Sequence, residues 1–262
     1  MNGSDEAPPL LSMRGINKSF GPVHVLHDVD FDVYAGQVTA LVGDNGAGKT
    51  TLIKCLAGIY PAESGEVFFD GAHVAIHGPR DAAALGIEFV YQDLALCDNL
   101  DVVENMFLGR ERKERGRLDE ITMEQLARRT LSELAVRTLS SVRQKVSGLS
   151  GGQRQTVAIA KAVLWQSKVV VLDEPTAALG VAQTRQVLDL VRRLADQGIG
   201  VVMISHNMND VMEVADRICA LYLGRVAAEV LKSEATHTQV VELITAGRSG
   251  HLGLVAAEQV QI

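Results

Sequence analysis

The order of apolar and polar residues divides the chain into alternating strands and helices. Short apolar runs, among them QVTALVG, KVVVLD and GVVMIS, predict buried strands. Segments with helical spacing, such as AQTRQVLDLVRRLADQG and NMNDVMEVAD, lie between them. Continuous apolar strands that alternate with helices indicate a largely parallel sheet covered by helices on both faces. Nearer the start, segments such as HDVDFDVYAG predict further strands around a turn.

The same pattern predicts the domain organisation. Residues 1–10 are predicted to be a loose tail, 11–247 the folded domain and 248–262 a second tail. Helical patterns dominate from about residue 93 to 165, which we interpret as a helical subdomain inserted in the α/β core. The segment LKSEATHTQVVELITAG predicts a final helix. The basic cluster GRERKERGR, residues 109–117, is interpreted as a solvated loop or helix face.

Composition narrows the function classes. The 262-residue chain has a net charge of −7, which argues against nucleic acid as a partner because protein surfaces that bind nucleic acid are normally basic. The three cysteines are widely scattered and show no zinc-binding spacing, as expected in a reducing cytosol. No apolar run approaches the ~18 residues that cross a bilayer, and the first residues contain no signal-peptide core. We therefore expect any membrane role to depend on a partner.

A glycine-rich motif predicts a phosphate site. GDNGAGKT, residues 43–50, fits the pattern G-x4-G-K-[ST] and lies between a predicted strand and a predicted helix. Backbone N–H groups of such a loop turn toward phosphate oxygens, and the helix start adds the positive end of its dipole. Lys49 is expected to reach the β- and γ-phosphates, and Thr50 to ligate Mg²⁺. The predicted nucleotide-binding residues here are Gly43, Asp44, Asn45, Gly46, Ala47, Gly48, Lys49, Thr50 and Thr51.

Two adjacent acidic residues complete a candidate hydrolytic site. Asp173 and Glu174 follow the apolar run VVVL, at the strand end where ligands gather in open α/β sheets. Asp173 is a candidate Mg²⁺ ligand, and Glu174 is a candidate to polarise or deprotonate the attacking water. The alternative is a pair of charges at a helix N-terminus. We place this alternative second because of the phosphate loop.

The phosphate loop alone leaves adenine and guanine nucleotides open. The chain has no N-K-x-D element where a guanine-specific enzyme would need one. Phe20, upstream of the loop, is a candidate to stack on an adenine ring. A core position is the alternative for a single phenylalanine.

A second anion-binding signature, LSGGQ, opens another predicted helix at Ser150. With GDNGAGKT, YQDLAL, VVVLDEPTAAL and SHN, it occurs in the order and spacing of the ATP-binding-cassette (ABC) ATPases, and the resemblance covers residues 11–246. It implies a P-loop NTPase of α/β class with a mainly parallel sheet, an antiparallel β subdomain and an inserted helical subdomain. It also implies ATP and Mg²⁺ as cofactors, and supports Phe20 as the adenine-stacking residue.

The resemblance assigns further roles. Gln92 would contact Mg²⁺ and the attacking water, and His206 would touch the γ-phosphate, so that Glu174, His206 and Gln92 form the catalytic set. The metal set would be Thr50, Gln92 and Asp173. Two copies would pair head to tail, with the second cradle facing the partner's ATP. That cradle comprises Ser150, Gly151, Gly152 and Gln153.

Softer markers point to a branch of the family. NMFLGRE, DEPTAALGV and SHNMNDVMEVADRI resemble single-cassette importers of the ribose, xylose and fructose type. This implies a homodimer under an integral-membrane permease dimer, at the cytoplasmic face, served indirectly by a periplasmic or extracellular sugar-binding protein. Gly180 stands where most family members have aspartate, which weakens any claim of a polar contact there between subunits. The alternatives are import of a non-sugar solute or a soluble, non-transport ABC ATPase.

Overall fold

The computed structural model describes residues 7–136 and 139–253. Its strands are β1 Leu11–Phe20, β2 Val23–Val33, β3 Val38–Gly43, β4 Ser64–Phe69, β5 Ala72–Val74, β6 Ile87–Val90, β7 Lys113–Glu114, β8 Arg117–Leu118, β9 Val169–Asp173, β10 Gly200–Ile204, β11 Arg217–Tyr222, β12 Arg225–Leu231, β13 Arg248–Ser249 and β14 Leu252–Gly253. Its α-helices are α1 Lys49–Leu56, α2 Pro79–Ala84, α3 Val102–Phe107, α4 Glu120–Glu133, α5 Gly151–Val163, α6 Val181–Asp196, α7 Met208–Val214 and α8 His237–Ala246.

The central sheet has six strands in the order β12-β11-β3-β10-β9-β6. All neighbours in it are parallel except β11 and β12. Every residue of β3 and β10 is buried, because helices such as α6 cover one face of the sheet and α1 with strands β1 and β2 covers the other. Each buried valine or leucine contributes about 1.5–3 kcal/mol. The register pairs Ile204 with Asp173 and Val90 with Leu172, so the carboxyl ends of the parallel strands share one edge.

A separate antiparallel sheet has the strand order β2-β1-β4-β5. Its inner face contributes Leu11, Met13 and Phe31 to the core that also holds the apolar side of α1. This arrangement, with the helix-covered parallel sheet, confirms the predicted α/β fold and its antiparallel part.

The region from 93 to 165 contains α3, α4 and α5. A capping box between Asp101 and Glu104 begins α3, and Arg143 joins that turn to α4 through Asp101 at 3.4 Å and Glu124 at 2.7 Å. That these helices form a subdomain distinct from the α/β core stays a prediction.

Two local expectations need correction. Residues 109–117 are exposed, as predicted for a solvated segment, but they form part of a hairpin, β7–β8, rather than only a loop or helix face. Arg115 and Gly116 both have positive φ, as a tight two-residue turn requires. The final helix begins at His237, because Thr236 caps it through a box with Gln239, and the preceding residues Lys232–Glu234 form a 3₁₀ turn.

The two predicted tails fall largely outside the described residues, which omit 1–6 and 254–262. Within the described part, Arg248–Ser249 pairs with Leu252–Gly253 in a short antiparallel hairpin that the sequence does not signal. None of the described helices has the length and apolar character needed to cross a membrane.

Candidate functional site

The phosphate loop joins the end of β3 to the start of α1, as the motif predicts. Gly48 is the N-cap residue of α1 and has a φ of 105°, and a methyl group on it would lie 2.8 Å from Leu26 Cδ2. Glycine is therefore required both by conformation and by close packing. No side chain of the described residues caps α1, so its first backbone N–H groups are available to an anion.

Within the loop, Asn45 N–H donates to Asp44 Oδ1 at 2.7 Å, and Ala47 N–H donates to the Asp44 carbonyl oxygen at 3.1 Å. Gly46 lies between these residues with a φ of 84°. Thr50 is exposed at the start of α1, and Thr51 follows it half-buried. Hydrogen bonds thus close the loop into a turn, and Thr50 lies on its accessible side.

Lys49 is buried beside the loop, and its ammonium donates to the carbonyl oxygens of Gly43 at 2.8 Å and Asp44 at 3.1 Å. Burial lowers the pKa of Lys49, and the carboxylates of Glu174, Asp44 and Asp173 oppose that shift. The buried positive charge therefore lies among acidic groups. Additional negative charge from phosphates would stabilise it further.

Asp173 ends β9, and Glu174 begins the turn that follows it. Burial raises the pKa of Asp173, with a further contribution from Glu174, whereas Lys49 and Lys54 lower it. Glu174 has a φ of 50°, a region that non-glycine residues rarely occupy, and its N–H donates to the Ile204 carbonyl oxygen at 2.9 Å. A hydrogen bond to the neighbouring strand therefore helps to hold this strained residue in place.

His206 follows β10, and its Nδ1 lies 2.8 Å from Glu174 Oε2. The imidazole is 72% exposed, whereas the Glu174 side chain is 15% exposed. The sheet thus brings together three predicted residues from distant parts of the sequence, Lys49, Glu174 and His206. A partly buried carboxylate, an accessible imidazole and an ammonium are the groups expected at a phosphoryl-transfer site.

A contact that sequence reasoning missed supports this turn. The Thr176 hydroxyl donates to Asp210 Oδ2 at 2.6 Å, and Asp210 is only 5% exposed on α7. The contact ties the residues after Glu174 to the helix after His206. The available signal was one acidic residue, Asp210, among the apolar positions Met208, Val211 and Val214 of a short helix.

We expect Thr176→Val to lower the free energy of unfolding by about 1.5–3 kcal/mol, because it removes the hydroxyl donor from a buried carboxylate while keeping the side-chain shape. Urea unfolding followed by circular dichroism measures the loss. Thr176→Ser is the matched control, since it keeps the hydroxyl, and it should retain most of the stability. Equal stability of Thr176→Val and the parent would show that the contact contributes nothing.

Gln92 follows the end of β6 by two residues and is exposed. Its neighbour Tyr91 directly follows Val90, which pairs with Leu172, and burial and the Asp173 charge both raise the pKa of the tyrosine. The segment therefore leaves the sheet at the edge that holds Asp173. A role for the Gln92 amide toward Mg²⁺ or water stays a prediction.

Phe20 is not in the core, because its ring is 43% exposed at the end of β1. It packs edge-to-face on Tyr60 with ring centroids 5.1 Å apart, and the Lys18 ammonium lies 5.2 Å from its centroid. An exposed ring held from the side is suited to stacking on a base. Stacking on adenine itself stays a prediction.

The second cradle begins α5. Ser150 is the N-cap, where its Oγ accepts from Gln153 N–H at 3.3 Å and its own N–H donates to Gln153 Oε1 at 2.9 Å. Gly151 and Gly152 form the first turn of the helix. In this chain the turn packs against the segment after Thr176, since a methyl group added to Gly151 would lie 3.3 Å from Leu179 Cδ2. The turn is thus a capped helix start with small residues, as predicted, and its role toward a second nucleotide stays a prediction.

The donor set also fits Mg²⁺. Thr50 offers a hydroxyl, Asp173 a carboxylate and Gln92 an amide oxygen, which are the hard oxygen ligands that Mg²⁺ prefers. Across residues 7–136 and 139–253, no cluster of three or more His, Cys, Asp or Glu side chains is placed to hold a metal.

These features define a P-loop nucleoside triphosphatase. Residues 26–177 match the family described as ABC transporter. The chain is 43% identical to the fructose import ATP-binding protein FrcA of Rhizobium meliloti, over 95% of this chain and 98% of that protein. It is 42% identical to the xylose/arabinose import ATP-binding protein XylG of Sulfolobus acidocaldarius, over 94% and 97% of the two chains.

Solved structures agree. MJ1267, an ATP-binding cassette of an ABC transporter in its ADP conformation, superposes with a TM-score of 0.78 at 26% identity, over 92% of this chain and 96% of that one. The dimeric bacterial ABC transporter cassette MJ0796 superposes with a TM-score of 0.70 at 25% identity, over 85% and 98%. The chain belongs to the ABC transporter family, and within that family it is an ATP-binding cassette that hydrolyses ATP.

Proposed function

We propose that this protein is the ATP-hydrolysing subunit of an ABC importer that powers uptake of a sugar of the ribose, xylose or fructose type. The observation that carries the hydrolytic part is the contact between Glu174 and His206 beside the buried Lys49. The sugar assignment is supported by the import proteins for fructose and for xylose and arabinose, which match nearly the whole chain.

In this proposal the phosphate loop and Lys49 hold the triphosphate, and Phe20 stacks on the adenine. Thr50, Asp173 and Gln92 would hold Mg²⁺, which would supply positive charge beside the phosphates. Glu174 accepts a proton as water attacks the γ-phosphorus, the bond to the β-phosphate oxygen breaks, and ADP leaves with the electron pair. His206 donates a hydrogen bond to the γ-phosphate. In this step Glu174 therefore acts on the attacking water and His206 on the phosphate group that the water attacks.

Two copies pair head to tail in this proposal, and each nucleotide lies between the phosphate loop of one copy and Ser150, Gly151, Gly152 and Gln153 of the other. The dimeric cassette among the similar structures supports the pairing of two copies. The dimer acts as a peripheral subunit at the cytoplasmic face of the membrane, under an integral-membrane permease dimer. A periplasmic or extracellular sugar-binding protein delivers the solute to that permease.

The test is reconstitution in proteoliposomes. The chain is co-purified with its permease, and ATPase activity is measured with a panel of pentoses and hexoses and their binding protein. We expect one sugar to stimulate hydrolysis and to accumulate inside the vesicles, and the Lys49→Ala subunit, as control, to do neither. Stimulation by a non-sugar solute alone would overturn the sugar assignment. Failure to associate with any permease would favour a soluble, non-transport ATPase.

A further inference from the structure

The segment that follows the hydrolytic turn packs directly on the second cradle of the same chain. We call residues 177–180 the AALG segment and residues 149–152 the signature turn. A methyl group on Gly152 would lie 3.0 Å from Gln183 Cβ and 3.1 Å from Gln183 Cγ. The stem of Gln183 therefore lies against the backbone of the signature turn, and a side chain on Gly152 would push it away by a few tenths of an ångström.

The other end of Gln183 reaches back to the AALG segment. Gly180 is the N-cap residue of α6, and its N–H donates to Gln183 Oε1 at 3.0 Å. Glycine at an N-cap has no side chain with which to accept from the first turn. Half of a capping box is nevertheless present, because Gln183, three residues after the N-cap, accepts from the Gly180 N–H. Gln183 therefore touches both segments with one side chain.

From this geometry we infer that Gln183 is a positioning residue, which holds the AALG segment against the signature turn so that both reach the partner subunit's nucleotide as one surface. The inference rests on the proposed head-to-tail dimer. It also explains how the chain functions with Gly180, because Gln183 fixes the end of the segment without a carboxylate there.

ATP-driven dimerisation of the Glu174→Gln variant is the assay. We expect Gln183→Ala, added to that variant, to weaken the dimer about tenfold, since each of two copies loses a hydrogen bond that orders its interface. ATP affinity of the isolated subunit should stay within about twofold of the parent, because its own phosphate loop is untouched. Sedimentation equilibrium in magnesium-ATP measures the first quantity, and titration of a dilute subunit with fluorescent ATP the second.

Three companion variants separate positioning from general damage to α6. Gln183→Glu keeps an acceptor for the Gly180 N–H and should dimerise like the parent. Gln186→Ala removes the same side chain from an exposed position one turn further along and should change nothing. Gly180→Asp combined with Gln183→Ala should restore dimerisation, because aspartate at the N-cap can accept from the first turn of α6. Melting temperatures show whether each variant is folded.

The inference is overturned if Gln183→Ala dimerises as tightly as the parent, or if Gln186→Ala weakens the dimer as much. It is also overturned if a folded Gly180→Asp/Gln183→Ala protein stays as weak as Gln183→Ala. A Glu174→Gln parent that never dimerises at saturating ATP would overturn the head-to-tail dimer itself. The outcome for the parent thus distinguishes failure of the proposed function from failure of this inference.

Discussion

Glu174→Gln is expected to reduce ATP hydrolysis by about 10²–10⁴-fold while leaving ATP binding intact. The amide has the shape of the carboxylate and can still pair with His206, whose Nδ1 lies 2.8 Å away, but it cannot accept the proton from water. The positive φ of residue 174 is kept, because glutamine has the same backbone preferences as glutamate. The loss should therefore fall on turnover alone, measured by phosphate release and by titration with fluorescent ATP.

The same variant should accumulate as an ATP-bound dimer, because the step that would reopen it is blocked. Light scattering coupled to gel filtration in magnesium-ATP measures the mass. The control adds Ser150→Arg, which places a long cation at the N-cap of α5 and should leave the protein monomeric with ATP still bound. A Glu174→Gln protein that remains monomeric at saturating ATP contradicts the head-to-tail arrangement.

Much of the fold could be predicted from the sequence because the parallel sheet is buried on both faces. Strands such as β3 and β10 must then be almost continuously apolar, with Thr39 as the polar exception in β3, and the residues at their carboxyl ends carry the chemistry. For the same reason, motifs far apart in sequence could be expected at one edge. The structure places Lys49, Glu174 and His206 there.

Details of turns and helix starts, and side-chain pairs distant in sequence, were not predicted. The hairpin β7–β8 depends on positive φ at Arg115, a residue type that does not signal it. Helix α8 begins where Thr236 and Gln239 form a capping box, which is a local pattern. The polar residues before it suit a helix equally well, so the pattern alone did not locate the start. The hydrogen bond from Thr176 to Asp210 spans 34 residues, and no local periodicity encodes such a pair.

For some single residues of the site, the sequence left more than one role open. Phe20 could be core or base-stacking from sequence, and its exposure removes the first alternative. Gly152 could be explained by an approaching phosphate, but the structure gives it a second reason, the close contact with Gln183. Sequence patterns identify which residue types are needed. They do not distinguish a glycine that admits a ligand from one that admits a neighbouring side chain.

Lys49→Ala is expected to weaken ATP binding by roughly 10–150-fold and to reduce turnover to background. The estimate follows from about 1.5–3 kcal/mol for a hydrogen bond to a charged group. The Lys49 ammonium is the buried cation of the phosphate loop, and its pKa is lowered by burial and held up by Glu174 and two aspartates. Removing it leaves those carboxylates facing the incoming phosphates, so repulsion adds to the lost attraction.

Isothermal titration with ATP, together with phosphate release, measures both effects of Lys49→Ala. The matched control is Lys168→Ala, which removes a 54%-exposed lysine just before β9, at the opposite end of that strand from Asp173. It should leave affinity within about twofold, since exposed charges at a distance are screened by salt. Melting temperatures exclude unfolding, because Lys49 also donates to the Gly43 and Asp44 carbonyl oxygens. If folded Lys49→Ala bound ATP as tightly as the parent, the phosphate loop would not be the nucleotide site, and the Glu174–His206 pair beside it would need another substrate.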